Sequence, residues 1–456
     1  MAVDARRDDE DGLDRRRVAA ILEAAEAGDS AALIRLLEPM HPADVADLLE
    51  QISGEQRRQL LAMWSGEIDG DILSEISDAI REEVIESLPH AVVAEAMRDL
   101  DTDDVVDILE DLEEPAQEAI LSSLNKADRL AVEQALAYPE YSAGRLMQRE
   151  VVTAPEHWTV GEMIDHLRSV DWLPDQFYHV ILVDPRIKPV SYVTLGRLLS
   201  ARRNVALTAI VEDSFRTIEA SDAEADVAYL FNQYHLISCP VVDAHGRLVG
   251  VITIDDAMNV LDEEHQEDML RMAGVDDEAT LSDTVWEATK GRALWLFVNL
   301  LTAILASVVI SAFAETIEQM VALAVLMPIV ASMGGNAGTQ SMTVAVRALA
   351  TRDLTPRNAP RVIRREVAVG AINGVVFGVL MALVAGVWFG VPMLAVVIGL
   401  AMVLTLMAAA FGGIAIPMAL ERAGVDPALA SGPFVTTVTD VVGFFAFLGL
   451  ASWMLL

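Results

Sequence analysis

Cysteine is almost absent from this sequence of 456 residues, in which Cys239 is the only one. A single cysteine cannot form an intramolecular disulfide, and no Cys/His ligand set surrounds it, so we interpret it as a buried strand residue in the stretch LISCPVV. After Lys290 the sequence contains neither cysteine nor histidine. The C-terminal part therefore lacks the soft ligands that transition metals prefer.

Motifs for catalysis are missing as well. No G-x-x-x-x-G-K-[ST] motif occurs, and we find no nucleophile–base pair or catalytic metal cluster, so we expect no ATPase and no enzyme. The N-terminal stretch MAVDARRDDEDGLDRRR is charged throughout and lacks the apolar core that a signal peptide has. We therefore expect the N-terminal region to stay in the cytoplasm.

Basic residues are scarce in the first part of the chain. Up to Lys290 there are 62 acidic and 24 basic residues, a net charge of −38, whereas the rest carries 7 acids and 8 bases. The second part consists of long apolar runs, and the mean hydropathy of the whole chain is +0.38. This asymmetry predicts a soluble acidic region fused to a membrane domain. An acidic region repels nucleic acid, so we expect divalent cations as partners instead.

The soluble region divides into two patterns. After a charged tail at 1–15 that we predict to be disordered, residues 16–138 repeat short apolar-acidic units, such as HPADVADLLEQI and LDTDDVVDILEDL, which predict an α-superhelix. Residues 139–205 and 206–264 then alternate short β-branched runs with amphipathic helices, in two similar α/β units. The second unit contains the phrase PVVDAHGRLVGVITIDD.

The remaining sequence predicts a five-helix membrane domain. An acidic helical stretch at 265–290 connects to residues 291–456, where turn signals separate five apolar runs long enough to cross a hydrocarbon core. We place these spans at about 293–313, 320–346, 362–389, 394–420 and 428–455. The Arg-rich loop at 347–366 is cytoplasmic by the positive-inside rule, which agrees with a cytoplasmic N-terminus. We expect a multi-pass protein of the cell inner or plasma membrane.

Two polar features interrupt these apolar runs. The stretch PIVASMGGNAGTQSMT at 328–343 is either a loop or a helix that faces water, because its amides and hydroxyls are poorly solvated by lipid. Asp440 is the only acid well inside a predicted span, and an aspartate there costs about 2.5–3.5 kcal/mol unless it faces the bundle interior or water. We interpret both as a cation pathway. Hydrogen bonding of Asp440 to neighbouring helices, and a packing role for the small residues, remain as alternatives.

Mg²⁺ fits this set of ligands better than a transition metal does. It is a small, hard ion that binds oxygen and retains its waters, so a lining of amides, hydroxyls and a carboxylate suits it. Asn336, Thr339 and Gln340 provide such a lining beside Asp440.

The motifs PIVASMGGNAGTQSMTVAVRALATRDL and DPALASGPFVTTVTDVVGF, with the acidic helical region and the tandem units, resemble the MgtE-type magnesium channels and transporters. The tandem units resemble a pair of CBS domains. The resemblance implies a homodimer with its ion path between two membrane domains, embedded in the lipid bilayer. It also implies that cytoplasmic Mg²⁺ binds the N-terminal and CBS domains and closes the pore through a plug helix.

The resemblance also suggests roles for individual residues. Asp440 matches the central pore carboxylate, and Asp426 matches the acid at the cytoplasmic mouth. We expect the cytoplasmic Mg²⁺ sensor among a set of acids on three segments of the chain: Asp103, Asp104, Asp107, Asp222, Glu224, Asp226, Asp255, Asp256, Glu263, Glu267 and Asp268.

Some positions depart from the family pattern. His235 and Asn259 lie where we expect sensor aspartates, and Gly432 lies where a relative carries a polar side chain. CBS pairs often bind ATP or another adenine nucleotide, and the spacing of Gly250, Thr253 and Asp256 fits phosphate and ribose contacts. Because the first CBS unit has Arg197 in place of such an acid, we expect at most one good nucleotide site.

Three functions remain open at this point. The leading hypothesis is a channel for passive, Mg²⁺-selective uptake that Mg²⁺ itself closes. The second keeps the fold but transports Co²⁺ or Mn²⁺. The third is a membrane-anchored CBS sensor, which would have no need of a polar lining in its spans.

Overall fold

The computed structural model describes residues 15–64, 68–110, 112, 114–170, 172–174, 176–276, 279 and 284–455. The chain forms two compact units, Met1–Asp262 and Glu263–Leu456. Apart from Arg15, the tail predicted at 1–15 lies outside the described residues.

The first unit begins with short amphipathic helices that share one hydrophobic core. Polar residues cap several of them: Asn125, for example, accepts hydrogen bonds from the backbone N–H groups of Ala127 and Asp128. Each helix buries an apolar face, so the predicted α-superhelix is confirmed. The helices are α1 (Arg15–Ala27), α2 (Ser30–Leu37), α3 (Pro42–Gln51), α4 (Gly54–Trp64), α5 (Gly70–Ser74), α6 (Asp78–Ser87), α7 (His90–Asp99), α8 (Thr102–Glu110), α9 (Glu114–Ser123) and α10 (Lys126–Leu136).

Two small α/β modules follow, each with its own core. The first contains β1 (Thr153–Pro155), α12 (Val160–Ser169), β2 (His179–Val183), β3 (Pro189–Thr194) and α13 (Leu195–Ser200). The short helix α11 (Ala143–Leu146) precedes β1 in the sequence, but Ala143 belongs to the core of the second module. The second contains β4 (Ile218–Glu219), α14 (Glu224–Tyr234), β5 (Ser238–Val242), β6 (Leu248–Thr253) and α15 (Ile254–Met272).

The two modules have the same sheet topology. In each three-stranded sheet the first strand is parallel to the second, and the second is antiparallel to the third. The register shifts near the same end of both antiparallel pairs, at Leu182/Val183 and at Val241/Val242. Cys239 is buried in β5, and burial raises the pKa of its thiol to about 12, as expected for a structural cysteine. The predicted duplication is therefore confirmed.

The helix that joins the two units differs from its predicted bounds. We predicted a connecting helix at 265–290, but α15 runs without a break from Ile254 to Met272. The sequence of α15 contains no glycine or proline, and Gly274, with φ +71°, adopts a left-handed conformation just after it. The connecting segment is thus a direct extension of the last CBS helix, and α15 ends well before residue 290.

Among its described residues, the second unit contains five helices long and apolar enough to cross a membrane. They are α16 (Val285–Ser311), α18 (Ala322–Ala350), α19 (Ala359–Phe389), α20 (Pro392–Arg422) and α21 (Pro427–Met454), with the short α17 (Ala314–Gln319) after the first. All five predicted spans are present. α16 begins at Val285, before the predicted start at 293, because a capping box of Thr284 and Glu287 starts the helix in polar sequence.

The stretch PIVASMGGNAGTQSMT belongs to the continuous helix α18, so its interpretation as a loop is wrong. The helix tolerates these glycines because neighbouring helices approach closely at two of them. A Cβ on Gly334 would lie 2.7 Å from Thr405 Cγ2 of α20, and one on Gly338 would lie 2.7 Å from Val435 Cγ1 of α21. The two glycines therefore let three helices pack closely, as small residues do in membrane bundles.

Candidate functional site

A line of polar side chains is exposed along one face of α18. Its members are Ser332, Asn336, Thr339, Gln340 and Thr343, and we call them the polar stripe. Their spacing of three or four residues places them on one side of the helix. The Thr343 hydroxyl donates to the Thr339 carbonyl at 2.9 Å, within the helix itself. The amides of Asn336 and Gln340 retain hydrogen-bonding capacity on a surface where lipid would offer none.

Asp440 lies near the middle of α21 and is partly exposed. Within the described part of the chain it has neither a salt-bridge partner nor a hydrogen-bond partner. The neighbouring threonine hydroxyls are already used: Thr436 donates to the carbonyl of Gly432 at 2.9 Å, and Thr437 donates to that of Pro433 at 2.6 Å. Among the residues that the structure describes, the Asp440 carboxylate therefore has no basic partner.

The second predicted pore acid, Asp426, precedes the first turn of α21. One carboxylate oxygen accepts a hydrogen bond from the Ala428 N–H at 2.7 Å, which caps the helix. The other lies 3.0 Å from Nη1 of Arg271, whose Nη2 lies 2.9 Å from Oε2 of Glu267. The structure therefore brings Asp426 together with the end of α15.

Further acids crowd this location, and we call Glu264, Glu267, Asp268 and Asp426 the mouth cluster. Burial, then the charge of Asp426, raises the pKa of Asp268, while Arg271 opposes the rise. Burial, then the charges of Glu267 and Asp268, raises the pKa of Glu264. The cluster carries more negative charge than Arg271 balances. Glu263 lies exposed on the same helix.

A second acidic cluster lies within the first unit, between α8 and the start of α15. We call Asp101, Asp103, Asp104, Asp255 and Asp256 the sensor cluster. Burial, followed by the charges of Asp256 and Asp101, raises the pKa of Asp104 to about 7. Burial, aided by Asp255 and Asp101 and opposed by a hydrogen bond from Thr253, raises the pKa of Asp256 to about 6. Burial and then Asp256 raise the pKa of Asp103 well above its usual range.

Side-chain hydrogen bonds hold α8 in this position. The Thr102 hydroxyl donates to Oε1 of Glu150 at 2.7 Å, and Nε2 of Gln148 donates to Oδ2 of Asp101 at 2.9 Å. Gln148 also forms a β-bridge with Val251 of β6. The superhelix and the second CBS module are thereby linked beside the carboxylates, whose mutual repulsion a cation would relieve.

Asp107 differs from the other acids of α8, because it has a basic partner. Its carboxylate lies 3.0 Å from Nη1 of Arg81, which also lies 3.1 Å from Asp78. Arg81 is buried and donates through Nε to the Ile76 carbonyl. The charge of Asp107 is thus compensated within the protein, so this predicted sensor residue is less available to a cation than Asp103 or Asp104.

The predicted acids Asp222, Glu224 and Asp226 form a separate group at the start of α14. Asp222 accepts a hydrogen bond from the backbone N–H of Glu219 at 2.9 Å. None of the three is among the main neighbours that raise the pKa values in the sensor cluster.

The three positions that depart from the family pattern lie at the end of α14, on α15 and on α21. His235 ends α14 in the left-handed conformation, with φ 53°, which histidine adopts more readily than most residues. Asn259 is exposed on α15. A Cβ on Gly432 would lie 3.8 Å from the backbone oxygen of Met272, so this glycine has room for a small side chain.

Among the residues that the structure describes, no three His, Cys, Asp or Glu side chains converge as a ready-made metal site. Mg²⁺ does not require one, because it retains several waters and is often held by one or two carboxylates. The carboxylates of Asp103, Asp104 and Asp256, which are buried or half-buried, fit that mode of binding.

A cleft between the two CBS modules is the candidate nucleotide site. Its lining includes Phe177, Tyr178, His179 and Thr253. The Thr253 hydroxyl donates to Oδ2 of Asp256 at 2.5 Å, which joins two of the three predicted nucleotide residues. Gly250 has another role: a Cβ there would lie 2.6 Å from the Gln148 carbonyl oxygen, so this glycine permits the close approach of two chain segments.

Sequence reasoning missed four residues in or beside these clusters. Asp101 and Glu264 lie within two residues of predicted acids, and this proximity was a usable signal. Arg271 lies four residues after Glu267, a spacing that favours an ion pair on a helix. Arg81 gave no local signal, because its partner Asp107 lies on a different helix.

Three family models match parts of the chain. The model for the MgtE divalent cation transporter matches residues 327–450, that for the MgtE intracellular N domain matches 40–141, and that for the CBS domain matches 208–263. The CBS match covers the second module, whose sheet topology the first module repeats.

Similar proteins are known from several organisms. The magnesium transporter MgtE of Thermus thermophilus is 35% identical over 338 residues, which cover 73% of this chain and 74% of that protein. The magnesium transporter MgtE of Bacillus subtilis is 30% identical over 332 residues, with the same coverage. A crystal structure of the cytosolic domain of the Mg²⁺ channel MgtE in complex with ATP has 30% identity and a TM-score of 0.50. It covers 53% of this chain and 99% of that chain.

These similarities extend over the acidic superhelix, the CBS modules and the membrane helices with their polar motif. The chain therefore belongs to the MgtE family of divalent cation transporters, and it is a multi-pass membrane protein with cytosolic N-terminal and CBS domains, not an enzyme.

Proposed function

We propose that the protein is a homodimeric channel that conducts Mg²⁺ passively into the cell and closes when cytoplasmic Mg²⁺ binds its acidic domains. The observation that carries this proposal is the exposed polar stripe of α18, in the same membrane domain as the uncompensated carboxylate of Asp440.

The polar stripe is the reason why we propose a dimer, since one chain alone leaves the stripe uncovered. In the bilayer each unsatisfied polar group facing hydrocarbon costs several kcal/mol, so the stripe requires water or a second protein surface. A second copy of the chain supplies that surface and encloses a hydrated path between the two membrane domains. Asn336, Thr339 and Gln340 then face the ion through its water shell, and Asp440 supplies the negative charge.

The lining favours Mg²⁺ over softer cations. It consists of amides, hydroxyls and one carboxylate, and the sequence after Lys290 offers no histidine or cysteine. Co²⁺ or Mn²⁺ is the alternative cargo, and competition between these ions in a flux assay distinguishes the two. Membership of a transporter family sets aside the membrane-anchored sensor.

The sensor cluster provides the means of closing. Without cations its carboxylates repel one another, which favours separation of α8 from the start of α15; a bound Mg²⁺ removes that repulsion and favours the compact arrangement. α15 runs as one helix from Asp255 and Asp256 in the sensor cluster to Arg271 beside the mouth cluster. A change of charge at the sensor cluster therefore acts on the same helix that reaches the mouth cluster.

A second proposed property is the binding of ATP or another adenine nucleotide in the cleft between the CBS modules. The aromatic side chains at its wall and the Thr253–Asp256 pair support this, as does the ATP in the related cytosolic domain. Replacing Thr253 with Val is expected to weaken ATP binding in calorimetry.

The experiment that tests the main proposal compares Asp440→Asn with the wild type. Purified variants are reconstituted in liposomes with a Mg²⁺ indicator inside, and Mg²⁺ is added outside. We expect Asp440→Asn to lower the initial flux by about tenfold or more, because the carboxylate attracts the ion into the path. Glu318→Gln is the control, since it removes an exposed carboxylate from α17 and leaves the path intact. Equal flux through the Asp440→Asn variant and the wild type contradicts the proposal.

A further inference from the structure

Arg271 is positioned to fasten two segments of the second unit. Its guanidinium bridges Glu267 on its own helix and Asp426 before α21, through separate nitrogens at 2.9 and 3.0 Å. The Arg271 side chain is 22% exposed, and the side chains of Asp426 and Glu267 are 32% and 34% exposed. The ion pair is therefore partly withdrawn from water, where it is screened less than a surface pair.

The partner of Arg271 on α21 is itself held in place. The second oxygen of Asp426 caps α21 through the Ala428 N–H, so its carboxylate cannot rotate away without losing the cap. α21 is also the helix that carries Asp440. An ion pair to Asp426 thus links the end of α15 directly to a helix of the proposed ion path.

Apolar contacts reinforce the same location. Met272, which follows Arg271, packs against a buried cluster of Met342, Val346, Ala428 and Val435 from α18 and α21. The end of α15 therefore makes both an ionic and an apolar contact with the two helices that carry the polar stripe and Asp440.

We infer that Arg271 is a tethered cation that holds the end of α15 against Asp426 when no Mg²⁺ is bound there, so that part of the closed state is independent of Mg²⁺. The inference rests on the proposed function, because it assigns to Arg271 a part of the closure described above.

Arg271 and Mg²⁺ then compete for one carboxylate. A guanidinium is permanently charged and more weakly hydrated than an ammonium group, so it suits a partly buried carboxylate better than lysine does. Arg271 balances only part of the charge of the mouth cluster, and Glu264 and Asp268 remain to attract a divalent ion. The channel would therefore be partly closed before Mg²⁺ arrives and more fully closed after it binds.

The test measures Mg²⁺ entry into liposomes that contain full-length protein, with EDTA and a Mg²⁺ indicator inside. The measured rate comes from channels whose cytosolic domains face the Mg²⁺-free interior. Channels of the opposite orientation expose their cytosolic domains to the added Mg²⁺ and close. We expect Arg271→Gln to raise the initial rate about fivefold, because the ion pair no longer favours closure. Arg271→Lys is expected to fall between the two, because it keeps the charge and loses the two-pronged geometry.

Arg422→Gln is the matched control. Arg422 is exposed at the end of α20 and makes no salt bridge within the described residues, so its loss removes the same charge from the same unit without touching Asp426. We expect its Mg²⁺-free rate to equal that of the wild type. If Arg271→Gln does not yield folded protein, Arg271→Met, which keeps the length of the apolar stem, is expected to give the same rise.

Two different failures are distinguishable. If Mg²⁺ loaded inside the liposomes closes the wild type, but Arg271→Gln and Arg271→Met show the wild-type rate in EDTA, the inference about Arg271 is wrong and the proposed function stands. If internal Mg²⁺ does not close the wild type, the proposed function itself is wrong.

Discussion

Three carboxylates of the sensor cluster are unusual because burial and mutual repulsion both raise their pKa values. Asp103, Asp104 and Asp256 all have raised pKa values, and burial is the largest cause for each. Such groups bind protons or cations more readily than free aspartates do. Protons should therefore replace part of the effect of Mg²⁺ on the cytosolic domains.

This gives a pH dependence with a definite sign. The pKa of Asp104 is about 7 in the folded protein and about 4 in an unfolded chain, so the folded state binds more protons between these values. The stabilisation is complete below the unfolded value and is lost as the pH rises through about 7. In EDTA, we expect the thermal midpoint of the cytosolic domains to fall by about 5 °C between pH 5.5 and pH 8.

Calorimetry of the full-length protein checks this prediction with two variants and with the wild type after addition of Mg²⁺. Asp104→Asn should remove much of the pH dependence, whereas Asp47→Asn, which removes an exposed acid of α3, should not. Mg²⁺ at pH 8 should restore the midpoint. A midpoint that rises with pH over this range contradicts the account.

The sequence allowed the acids of these clusters to be predicted, but not their basic partners. Acids at one-turn spacing on short helices are visible in the sequence as LDTDDVVDILEDL. Arg271 and Asp426, in contrast, are 155 residues apart, so their ion pair depends on how the helices pack. The same is true of Arg81 and Asp107, and in that case the missing partner changed the interpretation of a predicted sensor residue.

Close helix packing explains why α18 stays helical through its glycine-rich stretch. Gly334 and Gly338 face α20 and α21, while Gly335 has open space around its Cα. On α20, a Cβ on Gly413 would lie 2.8 Å from the Gly338 carbonyl oxygen and 2.7 Å from Ser341 Cβ. The same stretch thus combines a packing face with an exposed polar face; the glycines pack against neighbouring helices, and the cation pathway along the polar face stays a prediction.

Alanine substitutions separate the packing glycines from the others. We expect Gly413→Ala to destabilise the membrane domain by about 3 kcal/mol, because the new methyl group meets backbone that cannot move aside. Gly335→Ala should be neutral or stabilising by up to about 1 kcal/mol, since alanine favours a helix and the site has room. Folded yield and thermal midpoint in detergent measure both variants, and similar losses for the two would refute this assignment of the glycines.

Element boundaries were harder to predict than element types. The five spans follow directly from apolar length, and the repeated α/β pattern follows from alternating β-branched and amphipathic stretches. Our predicted bounds for this segment differ from those of α15, because we expected a domain boundary where the sequence has no helix-breaking residue. Helix continuity there is set by local composition, which does not change between the CBS module and the connecting segment.

The division of charge between the two units connects the whole molecule with its proposed role. The cytosolic domains carry nearly all the negative charge, and the membrane domain carries a net charge near zero. In the proposed function, the clustered carboxylates outside the bilayer respond to divalent cations, while the lone carboxylate within it serves conduction. A channel that its own cargo closes would need both features.

The most direct test is a Mg²⁺ titration of reconstituted full-length protein, with initial flux and protease protection of the cytosolic domains measured at the same cytoplasmic-side concentrations. We predict that flux falls and protection rises over the same range of Mg²⁺, because one compact arrangement produces both. Flux that is independent of cytoplasmic-side Mg²⁺, or protection that is complete while the channel stays open, would contradict the proposal.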